Sequence, residues 1–203
     1  MKILPREFYL RPTAEVARDL LGRVVVAGAR GKRVAIRLVE VEAYLGIADP
    51  AAHTFRGRRT ERVRPMWGPG GHAYVYFTYG MHHCLNAVTR AEGRPEAVLI
   101  RAGEPVEGVA TMRRRRGPTH RDAALARGPA CVCVALGLDR RHSGLDLTTG
   151  RTLWIEEGEP LVDEAVATAP RVGVDYAGDA AAWPLRFLAR GHPSVSKPPR
   201  PRG

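Results

Sequence analysis

Two carboxylates and a tyrosine alternate at the end of an apolar stretch, at Glu40, Glu42 and Tyr44. On a β-strand this spacing places all three side chains on one face. Two carboxylates on one face can supply the general acid and the general base of glycosidic bond hydrolysis. A solvated strand edge has the same pattern, and the spacing alone favours that interpretation. His53 follows in a loop, where a lone histidine has no assigned role.

Tyrosines are concentrated in the same part of the chain, where four of the six fall between residues 44 and 79. Tyr74 and Tyr76 share one face of a predicted strand by the two-residue period. Tyr79 precedes Gly80 in a predicted hairpin turn. An aromatic ring at a hairpin tip could insert between stacked bases of a nucleic acid. A cross-strand aromatic cluster that stabilises the sheet is the alternative, and the spacing alone favours it.

The cysteines and histidines lack the spacing of a metal site. One residue separates Cys131 from Cys133, where zinc ligands are separated by two to four. His82, His83 and Cys84 are consecutive, and consecutive side chains diverge on a strand. No P-loop motif for phosphate binding occurs. The sequence therefore predicts neither a metal nor a cofactor.

The charge of the chain indicates a polyanionic partner. Its 203 residues carry a formal net charge of +11, and only three of the 32 basic residues are lysines. Arginine matches phosphate geometry better than lysine does, so the excess predicts binding to nucleic acid. Genome composition is the alternative explanation, because alanine, glycine and proline are abundant as well. The length predicts one domain. Three cysteines, no long apolar run and no secretion signal predict a cytoplasmic protein.

The elements that must position these residues are short strands with a few helices. Helices are predicted from Thr13 to Gly22, from Pro105 to about Met112 and from Pro129 to about Gly137. Strands are predicted over 23–27, 33–41, 72–79, 84–89, 98–102, 152–156, 170–174 and 185–189. Residues 49–71 are predicted to form a long irregular loop, and the chain from His192 an extended or disordered tail. Short turns between adjacent strands favour an antiparallel α+β fold.

Seven sequence blocks then occur in one order along nearly the whole chain. They are VEVEAYLG at 39–46, AAH at 51–53, YVYFTYGMHHCLN at 74–86, VLIRAGEP at 98–105, GPA at 128–130, RVGV at 171–174 and PLRF at 184–187. This combination resembles the alkyladenine DNA glycosylase family, the monofunctional 3-methyladenine or N-methylpurine DNA glycosylases. The block at 74–86 is the most specific of the seven.

The resemblance implies catalytic roles for two residues and a wedge role for a third. Glu42 matches the general base that activates water for attack on C1′ of the deoxyribose. Arg101 matches a residue that helps to hold that water and the carboxylate. Tyr79 matches the side chain that fills the space left in the duplex by the extruded nucleotide.

The resemblance also implies a pocket for the extruded base. Tyr44 and Tyr76 match the aromatic walls that stack on the base, and His53 matches a residue at the pocket edge. Asn86 matches the residue that excludes guanine through its 2-amino group.

The fold implied by the resemblance is a single mixed domain around a curved antiparallel sheet, with a protruding β-hairpin and surrounding helices. Residues 1–191 would form this glycosylase domain and residues 192–203 a Pro/Arg-rich tail. The implied partner is double-stranded DNA that contains damaged purines, without a membrane or a metal. The implied state is a monomer, because the wedge face must meet DNA, and the implied product is an abasic site in an intact strand.

Two departures from the family pattern and the lysine positions bear on activity. Val63 replaces a residue able to form side-chain hydrogen bonds, and Cys131 replaces a lysine expected to contact a phosphate. None of Lys2, Lys32 and Lys197 is predicted to lie in a cleft, so water rather than an amine is the expected nucleophile. A non-catalytic protein that binds distorted DNA is the alternative function.

Overall fold

A single curved sheet organises the chain in the computed structural model, which describes residues 2–29 and 32–196. Its eight strands within those residues are β1 (Val24–Ala29), β2 (Lys32–Tyr44), β3 (Ala73–Thr78), β4 (His82–Thr89), β5 (Glu96–Glu107), β6 (Leu153–Glu156), β7 (Val166–Ala169) and β8 (Arg186–Ala189). Six of them pair in the order β3-β4-β5-β2-β1-β6, and β8 pairs with β2 and β7. Every pairing between these strands is antiparallel, so the predicted antiparallel α+β class is confirmed.

The long strand β2 is the centre of the sheet. β5 covers one of its edges, while β1 and then β8 cover the other. Bulges between Ala35 and Ile36 and between Leu38 and Val41 interrupt its pairing with β5. Bulges bend a strand and increase its twist, which accounts for the curvature of the sheet. The side chains at the end of β2 are therefore held from both sides.

Short helices pack around the sheet. They are α1 (Arg6–Tyr9), α2 (Thr13–Leu20), α3 (Val109–Arg116), α4 (Asp122–Leu125) and α5 (Pro129–Leu136). The predicted helix at Pro129 is confirmed, and Gly137 ends it with φ 74°, a conformation that glycine adopts without steric cost. α2 packs on β2, and α5 packs on β4 and β5 over the main apolar core. None of the helices in the described ranges is long and apolar enough to cross a membrane.

Three sequence predictions about elements are wrong. Pro105 does not begin a helix, because it lies within β5 opposite Ile36, where a bulge tolerates a missing N–H. Residues 170–174 form a loop rather than a strand, and the neighbouring strand is β7. Residues 49–71 are not wholly irregular, because they contain 3₁₀ turns at Phe55–Gly57 and Glu61–Trp67.

The segment that follows β8 packs on the sheet where the sequence predicted an extended or disordered tail. Ser194 and Ser196 are buried, and the N–H of Ser196 donates to a carboxylate oxygen of Glu40 at 2.6 Å. A buried hydrogen-bonding partner on β2 thus holds this segment in place. Residues 197–203 of the predicted tail, and residues 30 and 31 of the predicted turn before β2, lie outside the described residues.

Candidate active site

A row of paired residues across five neighbouring strands places the site on one face of the sheet. Tyr74 pairs with Asn86, Asn86 with Leu99, Leu99 with Glu42, and Glu42 with Arg186 of β8. Directly paired residues project to the same face, so distant parts of the sequence meet here. The row underlies a cleft of about 350 Å³.

Aromatic side chains form much of the cleft wall. Six of the residues that line it are Tyr44, His53, Tyr74, Tyr76, Asn86 and Arg101. The ring centroids of Tyr74 and Tyr76 are 5.4 Å apart, and those of His53 and Tyr76 are 4.6 Å apart. Tyr74 and Tyr76 share a face as the spacing predicts. The cleft has the flat apolar surfaces and few polar groups suited to a planar heterocycle.

Glu42 lies fully buried behind this cleft, and three residues of the described part of the chain that line the cleft contact its carboxylate. Oε1 accepts a hydrogen bond from the N–H of Val172 at 2.8 Å and lies 3.3 Å from Nη1 of Arg101. Oε2 accepts a hydrogen bond from the Tyr44 hydroxyl at 2.9 Å. Burial raises the pKa of Glu42, whereas Arg101, the Val172 N–H and the Tyr44 hydroxyl favour the carboxylate.

Glu40 holds Arg101 in place through a buried hydrogen bond. Its Oε1 accepts from Nε of Arg101 at 3.0 Å, from Nη1 of Arg186 at 3.3 Å and from the hydroxyl of Ser196 at 2.9 Å. Both Glu40 and Glu42 are 0% exposed. The strand-edge interpretation of these carboxylates is therefore wrong, because β5 and β8 cover β2 on both sides at this point.

His53 is at the cleft wall as a neutral side chain. Its Nδ1 shares a hydrogen bond of 2.9 Å with the Tyr74 hydroxyl. Burial, together with smaller contributions from the charges of Arg62 and Arg58, lowers its pKa to about 4. At neutral pH the ring can therefore offer both a hydrogen-bond donor and an acceptor.

Asn86 and Tyr79 differ sharply in their surroundings. Asn86 is buried, and its Nδ2 donates to the backbone oxygen of Tyr74 at 3.1 Å, which fixes the amide at the cleft wall. Tyr79 is 85% exposed at the tip of the β3–β4 hairpin, where it also borders the cleft. Tyr79 and Gly80 have φ values of 51° and 70°. The tip thus projects a ring that does not pack in the sheet.

Comparison with known proteins assigns the chain to a family. The sequence model of methylpurine-DNA glycosylase matches residues 7–193. The chain belongs to this family. It is 49% identical to a candidate 3-methyladenine DNA glycosylase of Methanocella arvoryzae over 97% of each chain. A candidate 3-methyladenine DNA glycosylase of Bdellovibrio bacteriovorus is 46% identical over 96% of this chain and 99% of its own. Another candidate 3-methyladenine DNA glycosylase, from Streptomyces avermitilis, is 47% identical over 95% of this chain and 90% of its own. The resemblance inferred from the seven blocks is confirmed.

Sequence reasoning missed several residues that line or support this cleft. Tyr176 is 71% exposed at the cleft wall, and its hydroxyl donates to the backbone oxygen of Ala51 at 3.2 Å. Ser196 contacts Glu40, and Arg171 contacts Asp49, across 156 and 122 residues. The RVGV block contains Arg171, but no spacing rule relates it to an aspartate so far away.

The two departures from the family pattern lie in different surroundings. Val63 is buried in an apolar cluster with Met66 and Tyr74, so it supports the cleft wall through packing. Cys131 is half-buried in the first turn of α5. Within residues 2–29 and 32–196, no three His, Cys, Asp or Glu side chains converge as metal ligands would.

Proposed function

We propose that the protein removes damaged purines from double-stranded DNA by hydrolysing the N-glycosidic bond. Membership of the methylpurine-DNA glycosylase family supports this reaction class. The observation that carries the finer proposal is the position of Glu42. Tyr44, Arg101 and Val172 contact this fully buried carboxylate, and all three residues line an aromatic cleft.

The nucleotide must leave the duplex to reach this cleft, at a cost of a few kcal/mol. In this proposal Tyr79 enters the duplex and fills the space that the nucleotide leaves, as exposed apolar wedges do in other DNA-bending proteins. The base stacks between Tyr44 and Tyr76. Stacking of a base on an aromatic side chain is worth roughly 1–3 kcal/mol, so two rings offset the cost of extrusion. Damaged bases pair and stack less well, which favours their extrusion.

Glu42 would then accept a proton from a water molecule as the water oxygen attacks C1′. The bond between C1′ and the base nitrogen breaks, and its electron pair leaves with the base. Within the described residues Oε2 accepts one hydrogen bond, from Tyr44, which leaves a lone pair for the water proton. The carboxylate also stabilises the positive charge that develops on the sugar. Arg101 would hold the carboxylate and the water in place.

The product would be an abasic site in an unbroken strand. Cleavage of the strand by a glycosylase uses an amine that forms a Schiff base with the sugar. In residues 2–29 and 32–196 no lysine lines the cleft. We therefore assign a monofunctional reaction.

Asn86 and His53 would select the base. The Asn86 amide is fixed by its bond to Tyr74, so it cannot move away from the 2-amino group of guanine. Neutral His53 can offer a hydrogen bond at the pocket edge without a charge that repels cationic alkylated bases. One copy of the chain carries the cleft, the wedge and the carboxylate, which supports action as a monomer on cytoplasmic DNA.

Base release by wild type and Glu42→Gln tests this proposal. The substrates are duplexes with a single hypoxanthine or ethenoadenine, and alkylated DNA. Wild type should release the base, and strands should break only after alkali treatment. Glu42→Gln should bind the same duplexes but lose release. Glu92→Gln, an exposed glutamate away from the cleft, is the matched control and should behave as wild type.

Three outcomes would contradict parts of the proposal. Tight DNA binding without release from any of these substrates would indicate the non-catalytic function instead. Release that persists in Glu42→Gln would assign the base to another residue. Strand breaks before alkali treatment would refute the monofunctional assignment.

A further inference from the structure

A buried ion pair lies next to the cleft but outside the proposed reaction. Nη1 of Arg171 is 2.5 Å from Oδ2 of Asp49, and Nη2 is 2.9 Å from Oδ1. Both side chains are 0% exposed. Replacement of a buried ion pair by apolar residues is often neutral or stabilising. Fold stability is therefore a weak reason for two buried charges at this place.

Asp49 fixes the chain that leads from β2 to His53. Its Oδ2 accepts a hydrogen bond from the N–H of Leu45 at 2.9 Å, and its Oδ1 accepts one from the N–H of Ala51 at 3.0 Å. These bonds hold the turn that begins directly after Tyr44. The Asp49 carboxylate thus constrains the backbone that follows Tyr44 and the segment that leads to His53.

Arg171 contacts the Tyr44 ring itself and the backbone that precedes it. Its Nη1 also donates to the backbone oxygen of Ala43 at 3.0 Å, and its Nη2 to that of Ala180 at 3.3 Å. The centre of its guanidinium lies 4.8 Å from the centroid of the Tyr44 ring. Arg171 does not line the cleft, so it covers the ring on the side away from the cleft. A cation over a ring face holds that ring while its other face stays free.

The next residue along the chain connects the pair to the carboxylate. Val172 follows Arg171 in a loop, and its N–H donates to Oε1 of Glu42 at 2.8 Å. No strand supports residues 170–174, so the position of this N–H depends on how the Arg171 side chain is held. A single ion pair therefore supports both the Tyr44 ring, which is a proposed wall for base stacking, and the Val172 N–H that donates to Glu42.

We propose that Arg171 and Asp49 are positioning residues that hold the Tyr44 ring and the Val172 N–H against Glu42. This inference rests on the proposed function. The pair assembles the base-stacking wall and the carboxylate environment together. Its two charges cancel, so it fixes this geometry without adding net charge beside the cleft.

The test replaces the pair by apolar residues in the double variant Arg171→Met/Asp49→Leu. The matched control is Arg33→Met/Glu156→Leu, which removes a partly buried ion pair from the opposite end of β2. Both double variants conserve net charge and use the same replacements. A difference between them in base release or in the Glu42 titration that a change in stability does not explain therefore reports on the location of the Arg171–Asp49 pair next to the cleft.

The expected result is a loss of chemistry with retained DNA binding. Single-turnover base release should slow by roughly 10- to 100-fold in the Arg171 and Asp49 variant, the loss expected for one hydrogen bond to a charged group. Affinity for undamaged duplex should change less than about threefold. Arg171→Lys keeps the charge but loses the bidentate fork, so it should retain an intermediate rate. The control should keep the wild-type rate.

A second readout does not depend on catalysis. Loss of the Val172 hydrogen bond removes a group that favours the Glu42 carboxylate, so the pKa of Glu42 should rise further. The carboxyl carbon of Glu42, followed by 13C NMR, should titrate at higher pH in the variant and at the wild-type pH in the control. The charge of Arg171 also interacts with Glu42, and Arg171→Lys keeps that charge, so a raised Glu42 titration in Arg171→Lys reports the loss of the Val172 hydrogen bond. The other titratable or charged groups around Glu42 remain in place in both variants: Glu40, Tyr44, Tyr76, Cys84, Arg101 and Tyr176.

The outcomes separate this inference from the proposed function. If wild type releases no base, the proposed function fails, and the NMR titration still tests the positioning role. If release and the Glu42 titration match wild type in the variant, the pair is purely structural and the inference is wrong. If the double variant does not fold, Arg171→Lys must show the intermediate rate and a raised Glu42 titration, and wild-type values there would overturn the inference.

Discussion

Removal of one hydroxyl group tests how strongly a single hydrogen bond favours the carboxylate form of Glu42. The Tyr44 hydroxyl donates to Oε2 of Glu42 at 2.9 Å, while the Tyr44 ring lines the cleft. Tyr44→Phe removes the bond and keeps the ring. A hydrogen bond to a charged acceptor contributes about 1.5–3 kcal/mol, and one pKa unit corresponds to about 1.36 kcal/mol. The pKa of Glu42 should therefore rise by about one to two units.

The pH dependence of base release measures this change. A general base acts when it is deprotonated, so the rate falls as the pH decreases through its pKa. The acid limb of the single-turnover rate should move to higher pH by about one to two units in Tyr44→Phe. Above that limb the variant should approach the wild-type rate, because the stacking surface and the Arg101 contact remain.

Tyr76→Phe is the matched control for this experiment. Tyr76 also lines the cleft, and its hydroxyl lies by Cys84 rather than at Glu42. The acid limb of the single-turnover rate in Tyr76→Phe should coincide with that of wild type. A Tyr44→Phe profile that superimposes on wild type, or one lowered equally at every pH, would refute the assignment of Glu42 as the base.

Three further predictions concern binding, selectivity and stability. Tyr79→Ser should slow release of ethenoadenine by about 10-fold or more, because one aromatic contact is lost, while the melting temperature stays near wild type since the ring is 85% exposed. Equal release rates would exclude the wedge role. Asn86→Ser should increase removal of undamaged guanine, scored as free base, and no increase would argue against steric exclusion. His53 has a pKa of about 4 when folded and 6.5 as the ordinary value. Between these values the unfolded chain binds the proton more strongly, so the stability from neutral His53 is complete above pH 6.5 and decreases toward pH 4. His53→Asn should flatten the dependence of the urea midpoint on pH in this window, and an unchanged slope would contradict it.

Local patterns predicted much of the sheet and the residues on one face of it. The two-residue period correctly placed Tyr74 beside Tyr76 and grouped Glu40, Glu42 and Tyr44. It could not show whether that face is covered, because burial depends on which strands pair with β2. The pairing with β8, almost 150 residues later, turns an apparent strand edge into the buried centre of the site.

Long-range contacts account for most of what the sequence did not predict. Ser196 and Glu40, or Arg171 and Asp49, meet only because the folded sheet brings distant segments of the chain together. Pro105 indicated a helix start because proline suits a first helical turn. A bulge opposite Ile36 gives proline an equally acceptable place in a strand, and that bulge has no local signature.

At the hairpin tip, the residue type that would make the turn most stable differs from the one that the proposed wedge role requires. Two consecutive residues with positive φ form the turn that asparagine and glycine prefer, and Tyr79 occupies the first of these positions. A tyrosine in this conformation costs roughly 1–2 kcal/mol relative to its ordinary backbone geometry. Directed evolution that rewards only a higher melting temperature should therefore accept Tyr79→Asn or Tyr79→Gly. Such selection would favour chains that fold better and have lost the ring that we propose enters DNA.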